Sequence, residues 1–291
     1  MMAKPHVLIV RAPGTNCDQE TAFAFEQAGG TAEIVHINRL LSERPLVKKF
    51  QILCIPGGFS YGDDLAAGRI LGNQIRHHLS EYLFEFRDAG KLILGICNGF
   101  QVLTRSGLFL TDEEGTGAVA TLSLNDSGKY EDRWVRLSVA GTRCVFFRDL
   151  ESLYLPVAHA EGKFVVRDEA TFADLQRKEQ LFLRYQHLTG QHHSTPNGAS
   201  AVDHAQEPRG GGTSVATKGE KRTKVVAYPA NPNGSQGNVA GVCDETGRVC
   251  GLMPHPERFI DRTQHPRWTR EELPEDGDGL AVFRNAVGYF Q

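Results

Sequence analysis

Residues 91–101, KLILGICNGFQ, are the most informative part of this sequence. A β-rich apolar run ends at Gly95, and a helix-like segment begins directly after Cys97. This strand, sharp turn and helix are typical of a nucleophile elbow, with a sulfur where the better-known G-x-S-x-G version has a hydroxyl. Gly95 and Gly99 fit such a turn, because a strained nucleophile leaves little room for side chains on its neighbours. The helix N-terminus would favour the thiolate form of Cys97.

A general base for this sulfur is predicted in GLMPHPER, residues 251–258. His255 precedes a proline, which favours extended backbone, and residues two apart on an extended chain point to the same side. Glu257 is therefore placed to orient the imidazole, and the sequence predicts a Cys97, His255 and Glu257 triad. Taken singly, Cys97 has the alternative of a buried small hydrophobe, and His255 that of a structural histidine between prolines.

The glycine-rich segment Pro56–Phe59 follows a predicted strand, and successive N–H groups in such a turn can point into one cavity. Beside a cysteine elbow, we expect an oxyanion hole built from Gly58 and Phe59, with the Asn98 N–H as a further donor. A plain Gly-Gly turn is the alternative. Gln101 lies one helical turn past the elbow and is predicted to face a polar substrate, against the alternative of an exposed glutamine.

Composition limits the class of protein. The chain has 291 residues, of which 40% are hydrophobic and 23% charged, and a formal net charge of −3. There is no basic surplus for a nucleic acid backbone, and no run approaches the roughly 18 apolar residues of a membrane span. Six cysteines are scattered without a C-x-x-C pair. We read them as reduced thiols, one of them reactive, in a cytoplasmic protein.

Strands that alternate with helices in the first part of the chain predict parallel pairing and an α/β three-layer sandwich, flavodoxin-like with a mostly parallel sheet. The carboxyl ends of such strands carry the active site, so three loops should lie side by side, at Ala12–Cys17, at Gly57–Asp64 and at Cys97. The predicted elements are strands at His6–Arg11, Thr31–Ile37, Gln51–Pro56 and Lys91–Gly95, and helices at Cys17–Ala28 and within Leu65–Ala89.

The second half is predicted to add antiparallel or mixed sheet at the edge and a closing helix, all within one domain over residues 1–291. Residues 186–223 lack periodicity and are rich in Gly, Ser, Thr and His, which predicts a mobile insertion. The predicted elements are strands at Arg133–Val139, Arg143–Phe147, Val225–Tyr228, Val239–Val242 and Arg248–Met253, and a helix at Leu280–Phe290.

No metal or nucleotide site is predicted in this chain. The histidines of the 186–223 segment have no metal-ligand spacing, and the calcium-like Asp276-Gly277-Asp278-Gly279 lacks the remaining ligands of a calcium loop. Neither a phosphate-binding G-x-x-x-x-G-K-[ST] nor a G-x-G-x-x-G between strand and helix occurs.

The elbow GICNGFQ together with PHPE resembles the class I, triad-type glutamine amidotransferases. Further stretches resemble one group of that family, the glutaminase subunits of phosphoribosylformylglycinamidine synthase in purine biosynthesis. These stretches are GTNCDQET (14–21), PGGFSYGDDLAAGRI (56–70), NDSGKYEDRWV (125–135), AHAEGKF (158–164), YPANPNGS (228–235) and GLMPHPER (251–258). The likeness covers nearly the whole chain except the 186–223 segment.

The resemblance implies Cys97 as nucleophile, His255 as general base and acid, and Glu257 as its orienter. It also implies Gly58 and Phe59 in the oxyanion loop and a contact between Gln101 and substrate L-glutamine. Ammonia would pass to a partner synthetase that uses ATP and Mg²⁺, alongside a small accessory subunit. Three alternatives stay open: a PfpI/DJ-1-type cysteine hydrolase or chaperone, a glutaminase subunit of another amidotransferase, and a non-catalytic module with a vestigial triad.

Overall fold

A computed structural model of the chain describes residues 4–111, 117–187 and 225–291, and the predicted insertion lies almost wholly outside these ranges. The described strands are β1 (His6–Arg11), β2 (Thr31–His36), β3 (Ile52–Ile55), β4 (Leu92–Ile96), β5 (Ala120–Leu124), β6 (Glu131–Val139), β7 (Ser152–His159), β8 (Glu161–Val166), β9 (Leu183–Gln186), β10 (Val239–Cys243) and β11 (Val249–Leu252). The described α-helices are α1 (Asp18–Gln27), α2 (Ile37–Ser42), α3 (Arg69–His78), α4 (Ser80–Asp88), α5 (Asn98–Ser106), α6 (Glu169–Arg177) and α7 (Leu280–Gly288).

The main sheet has the strand order β2-β1-β3-β4-β11-β10-β9-β6-β7. Its first five strands pair in parallel and the rest antiparallel, so the sheet has a flavodoxin-like half and an antiparallel extension. Strands β3 and β4 are buried along their whole length, as expected of parallel strands covered on both faces. A smaller antiparallel sheet pairs β5 with β8. The α/β fold class is confirmed.

Two groups of helices cover the parallel half and give it three layers. Helix α1 packs on α7, where the Phe25 and Phe283 rings meet edge to face with centroids 4.9 Å apart. Helix α3 packs on α5. None of the helices in the described ranges has the length and apolar character that a bilayer span requires.

Most predicted elements are confirmed within a residue or two at each end, and the helical region 65–89 is resolved as the two helices α3 and α4, with Leu79 between them at φ −124°. Two predicted strands are wrong. Val145–Phe147 is a short 3₁₀ helix with all three side chains buried, because the chain turns back with Phe147 N–H donating to Cys144 C=O at 3.1 Å. Val225–Tyr228 pairs with none of the described strands and leads into a turn, where Ala230 N–H donates to Ala227 C=O at 3.0 Å.

The two glycines of the elbow are required by packing. A Cβ on Gly99 would overlap the carbonyl oxygen of Ile55 on β3, and one on Gly95 would lie 2.6 Å from the carbonyl oxygen of Gly99. Both obstructions are backbone atoms, which cannot rotate away as a side chain can. Helix α5 therefore sits against the sheet at a distance that only glycine permits.

We expect Gly99→Ala to lower the free energy of unfolding by roughly 3 kcal/mol or more, because the new methyl group must displace a buried strand. Gly288→Ala is the matched control, since a Cβ there meets nothing within 4 Å and the residue lies in α7. That substitution should be neutral or stabilise by up to about 1 kcal/mol. Urea unfolding of both variants measures the difference, and equal stabilities would contradict the packing argument.

Candidate active site

Cys97 and His255 are brought together by neighbouring parallel strands. Strand β11 pairs with β4 so that Leu252 lies opposite Ile96, and the Cys97 N–H donates to the Leu252 C=O at 2.7 Å. Strands β4 and β11 end at the same edge of the sheet. Cys97 directly follows β4, and His255 lies three residues after the end of β11. The His255 backbone is fixed by its N–H, which donates to the Pro156 C=O on β7 at 2.9 Å. The carboxyl edge of the sheet is therefore where the two side chains meet.

Cys97 occupies a strained backbone conformation, with φ 51° and ψ −106°, between β4 and α5. A positive φ is uncommon for a residue with a side chain, and such strain persists only where the surroundings impose it. This is the geometry predicted for a nucleophile elbow. The Cys97 thiol donates a weak hydrogen bond to the Ala158 carbonyl at 3.7 Å, which ties the elbow to the end of β7.

His255 and Glu257 form a buried hydrogen-bonded pair. The imidazole Nδ1 lies 2.6 Å from Glu257 Oε1, and the two side chains are 2% and 0% exposed. Burial lowers the pKa of His255, but the Glu257 carboxylate and the Cys97 sulfur raise it by more, so its pKa lies well above the usual 6.5. The site thus stabilises the imidazolium that a general base forms when it accepts a proton. His255 Nε2 makes no hydrogen bond with a residue that the structure describes.

The loop after β3 gives only part of the predicted oxyanion hole. The Phe59 N–H donates to the Gly14 C=O at 3.0 Å in a short bridge between the loops after β1 and β3, so it is not free in this structure and its role as an oxyanion donor stays a prediction. Gly58 has φ 135° and lies in the same bridge, but its N–H donates to no other group within the described ranges. The Asn98 N–H opens α5 and has no intrahelical acceptor. Gly58 and Asn98 therefore remain the candidate donors.

The side chains of Asn98 and Gln101 hold the loops around the elbow. Asn98 Oδ1 accepts from the Ser60 N–H at 3.1 Å, and its Nδ2 donates to Gln101 Oε1 at 2.9 Å and to Asp63 Oδ1 at 3.2 Å. Gln101 is buried, and its Nε2 donates to the Glu161 carbonyl. The Gln101 side chain thus has two protein partners, which argues against the alternative of an exposed glutamine, and its contact with a substrate stays a prediction.

Cys17 is a neighbour of the site that the sequence alone did not single out. Its Sγ accepts a hydrogen bond from Arg258 Nη2 at 3.1 Å and donates to Asn16 Oδ1 at 3.2 Å. Burial raises the pKa of the Cys17 thiol to about 11, although His255 and Arg258 act in the opposite direction. The motifs GTNCDQET and GLMPHPER each mark one half of this contact, but neither motif shows that they meet.

Aromatic rings and a second histidine complete the surroundings. Phe59 and Tyr130 stack with centroids 6.3 Å apart, and both are partly exposed. Burial raises the pKa of Tyr130 and the Cys97 charge adds to this, which places the phenol within electrostatic range of the sulfur. His159 is buried, and burial together with the His255 charge lowers its pKa to about 3. Its Nδ1 lies 3.1 Å from Asn125 Oδ1.

Comparison with known proteins places the chain in a family. The family model for the CobB/CobQ-like glutamine amidotransferase domain matches residues 4–210 and 215–290. Phosphoribosylformylglycinamidine synthase subunit PurQ of Dehalococcoides mccartyi is 43% identical over 98% of both chains, and PurQ of Methanococcus maripaludis is 37% identical over 98% of this chain and 97% of its own. A chain of the PurLQS structure from Thermotoga maritima is 29% identical with a TM-score of 0.66, covering 99% of this chain and 100% of its own.

The fold, the elbow and the family match define a glutamine amidotransferase. Within that class, the full-length similarity is to PurQ subunits, and the chain belongs to the PurQ family. The resemblance noted in the sequence is thereby confirmed.

Because His159 is buried in its neutral form, we expect the free energy of unfolding to depend on pH in the acid range. Below pH 6.5 the unfolded chain binds a proton at this residue, whereas the folded chain does so only near pH 3, so the free energy of unfolding falls as the pH is lowered. Wild type and His159→Gln should therefore lie about 2 kcal/mol closer in stability at pH 5 than at pH 7. Urea unfolding at both pH values measures this. The exposed His77→Gln should show a nearly constant difference, and a constant difference for His159→Gln would contradict the prediction.

Proposed function

We propose that the chain is the glutaminase subunit of a phosphoribosylformylglycinamidine synthase complex. The observation that carries this is the strained Cys97 beside a His255 whose Nδ1 is held by a fully buried Glu257. Full-length similarity to PurQ subunits supports the choice of complex among those that use such subunits. The similarity to a PurLQS chain supports assembly with a synthetase and a small accessory subunit. The use of ATP and Mg²⁺ by that synthetase is part of the proposal and follows from the sequence resemblance alone. A cytoplasmic location agrees with six cysteines that are all unpaired.

In the proposed mechanism, the Cys97 thiolate attacks the side-chain amide carbon of L-glutamine. The developing oxyanion would be bound by the N–H groups of Gly58 and Asn98. His255 then protonates the leaving ammonia, which leaves a γ-glutamyl thioester on Cys97. A water molecule, deprotonated by His255, hydrolyses this thioester to glutamate. Glu257 orients the imidazole and stabilises its charged form throughout, as the raised pKa of His255 requires.

The enclosed position of the site supports a need for a partner subunit. Cys97 is 4% exposed and His255 1%, so glutamine reaches them only after the surrounding loops move. The stacked Phe59 and Tyr130 lie on those loops and are 43% and 48% exposed. Docking of the synthetase would open or complete the pocket, and the isolated chain should turn over glutamine slowly.

Cys97→Ala should abolish glutamate release, with a loss of at least about 10³-fold, because no other group supplies the nucleophile. The assay follows glutamate release by the full complex and, in parallel, amidine formation with glutamine or with added ammonium salt. Ammonia-dependent synthesis should stay near the wild-type rate, since the synthetase would need no glutaminase. Loss of both activities would point to failed assembly, and glutamate release that survives the substitution would refute the mechanism.

The Glu257→Gln variant tests whether the Glu257 carboxylate orients the imidazole or only supports the structure. The amide conserves the shape, but it no longer stabilises the imidazolium, so kcat should fall by on the order of 10² to 10⁴ with little change in KM. The pH profile of kcat should also shift to lower pH, because Glu257 raises the pKa of His255. Glu20→Gln, which alters the carboxylate paired with Arg258 outside the triad, is the control and should conserve both kcat and the profile. An unchanged kcat in Glu257→Gln would exclude the orienting role.

A further inference from the structure

Cys17 adds a sulfur atom, a third potential metal ligand, to the nitrogen of His255 and the oxygen of Glu257. One ligand atom from each of these three residues lies within 4.8 Å of the other two, and all three side chains are buried. Thiolate, imidazole and carboxylate are the ligand types that Zn²⁺ takes in proteins, and three protein ligands with one open position form a common zinc arrangement. Within the described ranges this is the only such group of three.

The position of Cys17 defines where a cation would bind. A Cβ placed on Gly57 would lie 2.7 Å from His255 Cε1, 3.1 Å from Cys17 Sγ and 3.4 Å from His255 Nδ1, so the thiol and the Cε1–Nδ1 edge of the imidazole border the same small space. Glu257 Oε1 is already 2.6 Å from the same nitrogen. Tetrahedral zinc with Zn–S of about 2.3 Å and Zn–N of about 2.0 Å separates its donors by roughly 3.3 to 3.6 Å. Since the three ligand atoms lie within 4.8 Å of one another, shifts of about 1 Å would bring them to this spacing.

An independent observation points to a missing partner at this place. Glu257 is fully buried, yet its Oε2 makes no hydrogen bond with a described residue. A buried carboxylate oxygen without a partner costs free energy, and a divalent cation supplies both a ligand contact and the opposite charge. Arg258 would give up its contact with the sulfur, and Glu20 at 2.9 Å remains as its partner.

We propose that Cys17, His255 and Glu257 form an inhibitory binding site for Zn²⁺ or a similar thiophilic divalent cation. Binding at Nδ1 displaces the proton that this nitrogen shares with Glu257, and the neutral imidazole then carries its proton on Nε2. The Cys17 thiol releases its proton to solvent. A protonated Nε2 cannot accept the Cys97 proton, so the metal removes the general base and its orienting carboxylate together.

The direct test uses Co²⁺ as a spectroscopic probe in the full chain with Cys97→Ala, which leaves Cys17 as the thiolate of the site. We expect a sulfur-to-cobalt charge-transfer band that Zn²⁺ removes by competition. Adding Cys17→Ser should abolish the band, because serine conserves the polar contacts of the thiol but is a poor ligand for these cations. Adding Cys54→Ala, another buried cysteine outside the group of three, should leave the band intact.

The second test measures inhibition of glutamate release by Zn²⁺ in the complex, and it rests on the proposed glutaminase function. The half-inhibiting Zn²⁺ concentration should rise by roughly 100-fold in Cys17→Ser and stay unchanged in Cys54→Ala. The Cys17→Ala variant, which has no hydroxyl group, should show the same rise in the half-inhibiting Zn²⁺ concentration as Cys17→Ser. A band absent from Cys97→Ala, a band that survives Cys17→Ser, or equal inhibition of wild type and Cys17→Ser would each overturn the proposal. The cobalt band needs no turnover, so its outcome is independent of the glutaminase assignment.

Discussion

The hydrogen bond from the Cys97 N–H to the Leu252 carbonyl is the contact on which the site depends. It continues the parallel pairing of β4 with β11 by one residue, at the point where both chains leave the sheet. The pairing joins segments about 155 residues apart, so the nucleophile and its base share a site only once the sheet is complete. Parallel strands of this kind must be covered on both faces, which explains why α5 sits so close that Gly95 and Gly99 are required.

Burial of the His255 and Glu257 side chains costs free energy, because the described part of the chain does not provide hydrogen-bond partners for all of their polar atoms. Glu257 Oε2 and His255 Nε2 are both buried without hydrogen-bond partners among the described residues. Proteins tend to leave polar groups unsatisfied where function needs them, since a fully bonded imidazole cannot accept a proton. The low polarity around the pair also strengthens the attraction between Glu257 and the imidazolium. The unpartnered Nε2 of His255 is thus a property expected of a working general base.

The sequence predicted what local chemistry encodes. The elbow glycines, the His255-Pro256-Glu257 turn and the alternation of strands and helices each carry their information within a few residues. One of the two wrong strands has a local explanation. Val145–Phe147 is apolar enough for a strand, but the segment buries all three side chains as a tight 3₁₀ turn. The hydrogen bond from the Phe59 N–H to the Gly14 carbonyl could not be predicted, because this bridge between two loops has no signature in either segment.

Cys17 shows most clearly what sequence reasoning lacks. By itself it is one of six scattered cysteines, and its nearness to His255 follows from the order of β1 and β3 in the sheet and from the bridge between their loops. The same convergence of strand ends that assembles the triad also places a second sulfur beside its base. A site that gathers a thiol, an imidazole and a carboxylate for acyl transfer therefore also gathers, by its topology, the donors that a thiophilic cation requires.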